Sequence, residues 1–257
     1  FDRELATSSR LFRFVLRMFA EGDAALPEGG MGAIPAQLAA RLPDGSVRLG
    51  ARVRRVGKGG VTLEGGEEVR ARAVVVATEG PEAARLFRGV GPDDFGRDVP
   101  DPGSRGTTTL YYAAPVPPVG EPVLVLDADR SGPANHLAVV SAAAPSYAPA
   151  GSSLIALSVI GAPGEGDEAL DAQARRQMGG WFGAAVAQWR LLRVYRIPHA
   201  LPDQRAGALS PPRRPVRVHP GLYVCGDHRD NASIDGAMTS GFRAAQAVME
   251  DMHHRVI

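Results

Sequence analysis

Residues 221–250 read GLYVCGDHRDNASIDGAMTSGFRAAQAVME, and this stretch decides the fold class. The apolar run 221–225 predicts a strand that is buried on both faces. A polar loop follows, and the helical spacing of apolar residues over 233–252 predicts a long helix. Strand, loop and helix in this order are typical of α/β folds, in which ligands bind beyond the carboxyl ends of the strands. The sequence therefore predicts an α/β fold with a candidate site in this loop.

The loop and the helix start combine residue types that suit a cofactor. Asp227 can accept hydrogen bonds from sugar-like hydroxyl groups, and Gly236 would let a flat ring approach the backbone. The helix start presents backbone N–H groups to an anionic or carbonyl oxygen. An ordinary turn would explain Asp227 alone, but not the joint placement of acid, glycine and helix start. The candidate cofactor-binding residues are Gly226, Asp227, Ser233, Ile234, Asp235, Gly236 and Ala237.

The rest of the chain alternates between predicted strands and helices. The apolar run 73–78 predicts a second buried strand, which a short helix over 81–87 follows. Further strands are predicted at 107–113, 122–127, 136–142, 153–160 and 189–197, and a helix is predicted over 168–186. A helix over 7–19 carries apolar side chains on a wide face, which predicts that it packs on two sides or lines an apolar cavity.

Composition excludes several classes of protein. The formal net charge is +1, which argues against a dedicated nucleic-acid-binding protein. The one cysteine, Cys225, excludes a disulfide framework and a zinc cluster, and it suits a reducing compartment. No apolar run reaches the roughly 20 residues of a membrane-spanning helix. We therefore expect a cytoplasmic protein whose contact with a membrane, if it has one, is peripheral.

Other chemistries have little support in the sequence. No G-x-S-x-G motif is present, so a serine hydrolase is not indicated. His228, Asp227 and Asp230 could be imagined as metal ligands, but no second cluster has ligand spacing. We therefore predict no metal site, and the sequence identifies no catalytic residue.

The loop and helix carry the pattern GD…SxxGAxxSGxxAA between Gly226 and Ala245. This pattern resembles the C-terminal end of FAD-dependent oxidoreductases of the flavin-containing amine oxidase and phytoene desaturase superfamily. Residues 29–35, 48–56 and 71–78 are similar to further segments of that superfamily. Residues 141–151 and 189–202 are similar to its carotenoid desaturase and isomerase-like branch, so the resembling segments span nearly the whole chain.

The resemblance implies FAD as the cofactor, with the backbone of Val53 against the FAD adenine. The implied fold is an FAD/NAD(P)-binding, glutathione-reductase-like Rossmann part that is interwoven with a substrate domain of a mixed β-sheet and helices. We expect residues 21–88 and 207–257 to form the FAD-binding part. Residues 1–20 and 89–206 are then expected to form the substrate-binding part.

One motif of the superfamily is missing from the sequence. In the superfamily a strand–GxGxxG–helix holds the FAD diphosphate, whereas here Gly30 and Gly32 are followed by Pro35 in place of the third glycine, and no strand precedes them. We therefore expect the chain to be a C-terminal fragment, with a Rossmann part that is incomplete at its N-terminal side and no activity alone. Its expected partner is the missing N-terminal nucleotide-binding segment.

The complete protein is expected to oxidise or isomerise an apolar, polyene or lipid-like substrate by hydride transfer to flavin N5. The aromatic content of 6% and the lack of an aromatic-cage motif favour such a substrate over an amine. Two alternatives stay open, a flavin amine oxidase and a non-catalytic module that binds a substrate or partner. An NAD(P)-linked reductase is disfavoured, because no acidic residue ends a strand at the expected distance after a Gly-rich loop.

Overall fold

The computed structural model describes residue 4 and residues 6–90, 98–208, 210–254 and 256–257. The chain divides into two units. The first unit comprises Phe1–Leu5, Arg13–Val47 and Gly106–Ala200, and the second comprises Ala6–Phe12, Arg48–Arg105 and Leu201–Ile257. Each unit has its own sheets and its own apolar core.

The described residues form helices α1 (Ser9–Glu21), α2 (Ala33–Ala39), α3 (Gly80–Phe87), α4 (Val140–Ala143), α5 (Asp167–Phe182) and α6 (Ile234–His253). The strands are β1 (Val53–Gly57), β2 (Gly60–Leu63), β3 (Glu68–Arg70), β4 (Val74–Val76), β5 (Ser104–Ala114), β6 (Leu124–Leu126), β7 (Ala134–Val139), β8 (Ser153–Ile160), β9 (Arg190–Pro202), β10 (Arg217–His219) and β11 (Leu222–Val224).

The second unit contains the parallel pair of β4 and β11. Val74 pairs with Leu222 and Val76 with Val224, and β10 continues the sheet on the other side of β11. All of β11 is buried, because Leu222 and Val224 pack in one cluster with residues of α3 while Tyr223 packs in another with residues of α6. The buried strand β11 and the α/β architecture that the sequence predicts are therefore confirmed. In β4, Val74 and Val76 are buried but Val75 is 41% exposed, so the described residues cover one face of this strand and not both.

The first unit contains a five-stranded sheet in the order β6-β7-β8-β5-β9. Strands β5 and β8 alternate between buried and partly exposed residues, as expected of a sheet with one face on a core. The core face, which includes Leu110 and Leu157, packs against α5. The opposite face, which we call the open face, carries Thr109, Tyr111 and Leu154.

Most predicted elements are present, and the differences have local causes. The helix predicted over 168–186 ends at Phe182 because Gly183 adopts a φ of +64°, and a short 3-10 helix follows it. The strand predicted over 136–142 ends at Val139, where α4 begins. The strand predicted over 189–197 continues to Pro202.

The predicted domain boundaries differ in part from the two units. Residues 48–88 and 207–257 lie in the second unit, but residues 21–47, which the sequence groups with the FAD-binding part, lie in the first. Hydrogen bonds hold them there, because Tyr147 donates to the Pro27 carbonyl oxygen at 2.7 Å and Ser146 donates to that of Glu28 at 3.0 Å. Which part of the chain binds FAD stays a prediction.

Helix α1 leaves its apolar side exposed. Phe12 and Phe19 are each 64% exposed, and no residue of α1 is buried. The packing that the sequence predicts for this helix is therefore not supplied by the described residues. Within those residues, no helix combines the length and the apolar character that crossing a membrane requires.

Candidate functional site

The candidate site lies where the parallel strands β4 and β11 end. The Cys225 N–H donates to the Val76 carbonyl oxygen at 2.9 Å, which brings the residues after both strands side by side. Gly226 then adopts a φ of +146°, a conformation that favours glycine. A Cβ atom there would lie 2.6 Å from the His228 ring and 3.2 Å from the Thr78 carbonyl oxygen. Gly226 therefore lets the loop pass close to the end of β4.

Ser240 ties this strand end to α6. Its hydroxyl oxygen accepts a hydrogen bond from the Gly226 N–H at 2.9 Å, and it can donate to the carbonyl oxygen of Gly226 (2.8 Å) or Ala237 (2.9 Å). The Ser240 side chain is completely buried. The sequence pattern includes Ser240, but its contact with Gly226, 14 residues earlier, arises only in the fold.

The start of α6 is capped by its own residues. The Ser233 hydroxyl oxygen accepts a hydrogen bond from the Gly236 N–H at 3.1 Å, and the Ala237 N–H donates to the Ser233 carbonyl oxygen at 3.0 Å. These contacts use two of the N–H groups that the sequence assigns to a ligand. Those of Ile234 and Asp235, which are exposed residues, are left for that role.

Gly236 has a packing role that the sequence does not reveal. A Cβ atom there would overlap the carbonyl oxygen of Asn231 and would lie 2.9 Å from the Asn231 nitrogen. The loop itself therefore requires glycine at this position, whereas the sequence assigns Gly236 to the approach of a flat ring. The contact of Gly236 with a cofactor stays a prediction.

Arg243 on α6 holds the loop in place. Its Nη2 donates to the Arg229 carbonyl oxygen at 2.8 Å and to the Asp230 carboxylate at 3.1 Å, and its Nη1 donates to the Arg214 carbonyl oxygen at 3.1 Å. Asp230 also faces Arg213 at 3.7 Å, so arginines compensate its negative charge. No pattern in the sequence marks Arg243, because its partners lie 13 to 29 residues away.

The guanidinium group of Arg229 is buried beside this network. Its Nη2 donates to the Asp98 carbonyl oxygen at 3.1 Å. Burial and the nearby charges of Arg214 and Arg243 lower the pKa of Arg229 to about 10, although Asp98 opposes the shift. Arg229 therefore stays charged at neutral pH.

Among the described residues, no arginine pairs with Asp227 or His228. The Asp227 side chain is 28% exposed, and the ion pair that it can form within the described chain is with His228, whose Nδ1 lies 3.8 Å from Oδ1. The His228 side chain is 2% exposed, and neither ring nitrogen has a hydrogen-bond partner among the described residues. Both side chains line a cavity of about 20 Å³ with Gln204, whose buried Oε1 likewise has no partner in that part of the chain. Buried polar groups nearly always find partners, and a cavity of this volume has room for about one water molecule beside His228 and Gln204. The partly exposed carboxylate of Asp227 is the group that a larger ligand can reach.

The structure describes the surroundings of the imagined metal ligands and of Cys225. Among the residues that the structure describes, no group of three or more His, Cys, Asp or Glu side chains could hold a metal ion. Cys225 is buried, and burial raises the pKa of its thiol. Its environment is that of a core residue, in the same cluster as Tyr223.

Val53 lies apart from the loop, in the hairpin sheet of β1, β2 and β3. Its carbonyl oxygen accepts a hydrogen bond from Arg85 Nη2 at 3.3 Å, and Arg85 is paired with Glu82 on α3. Val53 also packs against the apolar cluster that contains residues of β4 and β11. The structure therefore places Val53 in the same unit as Asp227, and its contact with adenine stays a prediction.

A second candidate site lies on the open face of the five-stranded sheet. It is a cavity of about 830 Å³, within the size range of small-molecule sites. We call it the sheet-face cavity; its lining is mostly apolar or aromatic and consists of Met31, Gly32, Thr109, Tyr111, Leu154, Leu192, Arg193, Tyr195 and Ile197. The sequence does not single out these residues, although their alternation along β5 and β8 could have indicated a shared face.

A comparison with protein families identifies a relationship over nearly the whole chain. A family model described as flavin containing amine oxidoreductase matches residues 1–249. No curated protein matches the sequence.

Several solved structures share the fold at low sequence identity. A putative protoporphyrinogen oxidase from Exiguobacterium sp. 255-15 aligns with a TM-score of 0.68 at 16% identity, over 87% of this chain and 52% of that one. Reduced UDP-galactopyranose mutase aligns with a TM-score of 0.67 at 15% identity, over 93% and 58%. Cyclohexylamine oxidase from Brevibacterium oxydans IH-35A aligns with a TM-score of 0.64 at 15% identity, over 87% and 53%. The chain therefore spans about half the length of the structures that it matches.

Proposed function

Because the chain belongs to the family of flavin-containing amine oxidoreductases, we propose that it is part of an FAD-dependent enzyme that oxidises or isomerises an apolar substrate. The proposed reaction class is hydride transfer between the substrate and flavin N5, in a desaturase, dehydrogenase or isomerase. A flavin cofactor follows from the family. The choice of FAD and of a polyene or lipid-like substrate is our proposal.

The observation that carries this proposal is the pair of Asp227 and His228 at the end of β11. Asp230, in the same loop, is compensated by Arg213 and Arg243, whereas no arginine of the described chain pairs with Asp227. A partly exposed carboxylate at the end of a parallel strand suits a ligand with hydroxyl groups, since charged acceptors form the stronger hydrogen bonds. The buried ring of His228 lies beside this carboxylate, with Nδ1 at 3.8 Å from Oδ1.

The residues of this loop fit the hydroxyl-rich part of a flavin dinucleotide. Ser240 and Arg243 hold the loop against α6 through the hydrogen bonds described above, so the acceptor of Asp227 is positioned before a ligand arrives. A preformed site loses less conformational entropy on binding, which increases its affinity. The Asp227 carboxylate and the N–H groups of Ile234 and Asp235 are the groups that would hold the cofactor here.

A bound flavin would supply the hydride-accepting centre, while the protein binds and orients the reactants. Asp227 would hold hydroxyl groups of the cofactor by accepting their hydrogen bonds. The apolar lining of the sheet-face cavity would exclude water from an apolar substrate. We assign no residue of this chain to proton transfer.

The diphosphate of FAD needs a further segment. No G-x-G-x-x-G occurs in the sequence, and this motif with its helix start is what neutralises a dinucleotide diphosphate. Among the described residues β4 pairs with β11 alone, so the other edge of this Val-Val-Val strand has room for a parallel neighbour. We propose that a strand–GxGxxG–helix segment completes the sheet at this edge, and that the chain without it is inactive.

The proposal is tested by flavin loading. The chain of residues 1–257 is purified alone and co-expressed with the polypeptide encoded directly before it, and bound flavin is measured by visible absorption. We expect stoichiometric FAD in the co-expressed complex and little in the chain alone. In the complex, Asp227→Ala should weaken FAD binding by roughly tenfold to a hundredfold, as expected for the loss of one charge-assisted hydrogen bond. Asp44→Ala, at an exposed position of the first unit, is the matched control.

Two outcomes would contradict the proposal. Stoichiometric FAD in the chain alone would mean that no further segment is needed. A complex that folds and never binds flavin would favour the alternative of a non-catalytic binding module. Circular dichroism and thermal unfolding of each variant separate a loss of flavin contacts from a loss of fold.

A further inference from the structure

We propose that the sheet-face cavity binds an amphiphile with an anionic head group, a carboxylate or phosphate, whose charge pairs with Arg193. This inference deepens the proposed function, and the identification of the amphiphile as substrate rests on it. The binding of an amphiphile in the cavity does not depend on the proposed function, because every residue that lines the cavity belongs to the first unit.

Arg193 is the cationic side chain in the lining of the cavity. Its guanidinium carbon lies 5.3 Å from the ring centroid of Tyr195, which holds the group by a cation–π contact. No acidic side chain of the described residues forms an ion pair with Arg193, whereas Arg196 on the same strand pairs with Asp167. A positioned guanidinium with no acid beside it has its hydrogen-bond donors available to an anion.

The remaining lining suits an apolar body. Apolar surface in the cavity comes from Leu154 and from three exposed side chains. These are Met31 (47% exposed), Leu192 (42%) and Ile197 (45%). Exposed apolar side chains that share a concave surface mark binding sites for apolar ligands. A volume of about 830 Å³ accommodates a long hydrocarbon or a large ring system.

The aromatic residues favour an anion over an amine. An ammonium group binds best over the face of an aromatic ring, but the guanidinium of Arg193 already occupies a position over Tyr195. The ring of Tyr111 meets that of Tyr195 edge to face at 5.9 Å, and burial raises the pKa of Tyr111, so its hydroxyl stays a neutral donor. Repulsion from Arg193 would oppose a protonated amine in the same cavity.

The test uses the full chain and cis-parinarate, a conjugated polyene carboxylate whose fluorescence rises in an apolar site. We expect saturable binding of cis-parinarate and at least tenfold weaker binding of its uncharged methyl ester. Arg193→Gln should weaken binding of the acid by about tenfold, in line with the loss of a charge-assisted hydrogen bond at an exposed site, and should not affect the ester. Arg190→Gln removes an exposed arginine from the same strand outside the cavity and should leave both affinities unchanged.

Competition identifies the head group. Dodecanoate or dodecyl phosphate should displace cis-parinarate. The stronger competitor of the two shows whether the cavity prefers a carboxylate or a phosphate head group. Displacement by dodecylamine with equal strength, or an acid affinity that is the same in Arg193→Gln, would overturn the inference. If Arg193→Gln unfolds, Arg193→Lys keeps the positive charge but loses the planar stacking group, and it should still prefer the acid to the ester.

The outcome is independent of flavin. Arg193-dependent binding of the acid in a protein that never takes up FAD would support the inference and contradict the proposed function. Stoichiometric FAD together with equal affinities for acid and ester would support the proposed function and contradict the inference.

Discussion

The two candidate sites are built in opposite ways. In the loop after β11, the backbone is held in one conformation because Ser240 and Ser233 accept hydrogen bonds from backbone N–H groups and Arg243 donates to a backbone carbonyl oxygen. In the sheet-face cavity, Tyr195 and Arg193 are held by contacts between side chains, over the open face of a sheet whose other face is the core. The first arrangement suits a ligand that is always the same, since its polar groups are positioned in advance. The second suits a ligand that can vary, because apolar contacts impose little geometry.

The largest expected effect concerns the two faces of the five-stranded sheet. Leu157 on the core face is completely buried, so Leu157→Ala should lower the free energy of unfolding by about 2–5 kcal/mol through lost burial and a cavity. Leu154→Ala, three residues earlier on the same strand, should cost about 1 kcal/mol or less, because Leu154 lines the sheet-face cavity. Urea unfolding of both variants measures the difference. Equal losses would mean that the open face is part of the core.

Two glycines of α6, Gly236 and Gly241, are expected to differ in their effect on stability when each is replaced by alanine. Gly236→Ala would overlap the Asn231 backbone and should lower the free energy of unfolding by about 1–3 kcal/mol, with or without flavin. At Gly241 a Cβ atom would meet no atom within 4 Å. Gly241→Ala should therefore raise the free energy of unfolding by about 0.5–1 kcal/mol, because alanine has the higher helix propensity. Thermal and urea unfolding without cofactor test both changes. A stable Gly236→Ala variant that fails only in flavin binding would instead support the ring contact that the sequence predicts.

The smallest expected effect concerns Asp203, which lines the small cavity beside His228. Burial tends to raise the pKa of Asp203, but hydrogen bonds from Arg205 and the charge of Arg105 outweigh it, so the pKa lies below the ordinary value of 3.8. A lowered carboxyl pKa stabilises the folded state above the unfolded pKa, and this contribution is lost as pH falls through the folded pKa. Asp203→Asn should therefore cost about 1 kcal/mol at pH 7.

The deficit of Asp203→Asn relative to the unmodified protein should shrink as the pH is lowered below about 4. Unfolding measured from pH 7 to pH 3 gives this dependence, and Asp44→Asn at an exposed site serves as the control. A deficit that stays constant over this range would mean that the carboxylate charge of Asp203 contributes nothing to stability.

Much of the second unit could be predicted from the sequence, because its signals are local. The apolar runs of β4 and β11 and the helical spacing of α6 are each visible within ten to twenty residues, and the structure confirms the two strands and the helix. The same local pattern predicts Asp227 and Gly236 as cofactor-binding residues, and that role stays a prediction. The roles of Ser240 and Arg243 could not be predicted from the sequence. Their partners lie 13 to 29 residues away along the chain, and only the packing of the fold brings them into contact.

The sequence by itself determined the α/β class, the strand–loop–helix at residues 221–252 and the resemblance to flavin-dependent oxidoreductases. These follow from period, composition and a short motif, which depend on neighbouring residues only. The tertiary structure alone decided that the backbone of Asn231 requires glycine at position 236. Within the part of the chain that the structure describes, arginines pair with the carboxylate of Asp230 and none pairs with that of Asp227. The tertiary structure also decided that Arg193, Tyr195 and Tyr111 share one face of a sheet. Such contacts depend on strand register and helix packing, and these are set by the burial of the whole core rather than by any one segment.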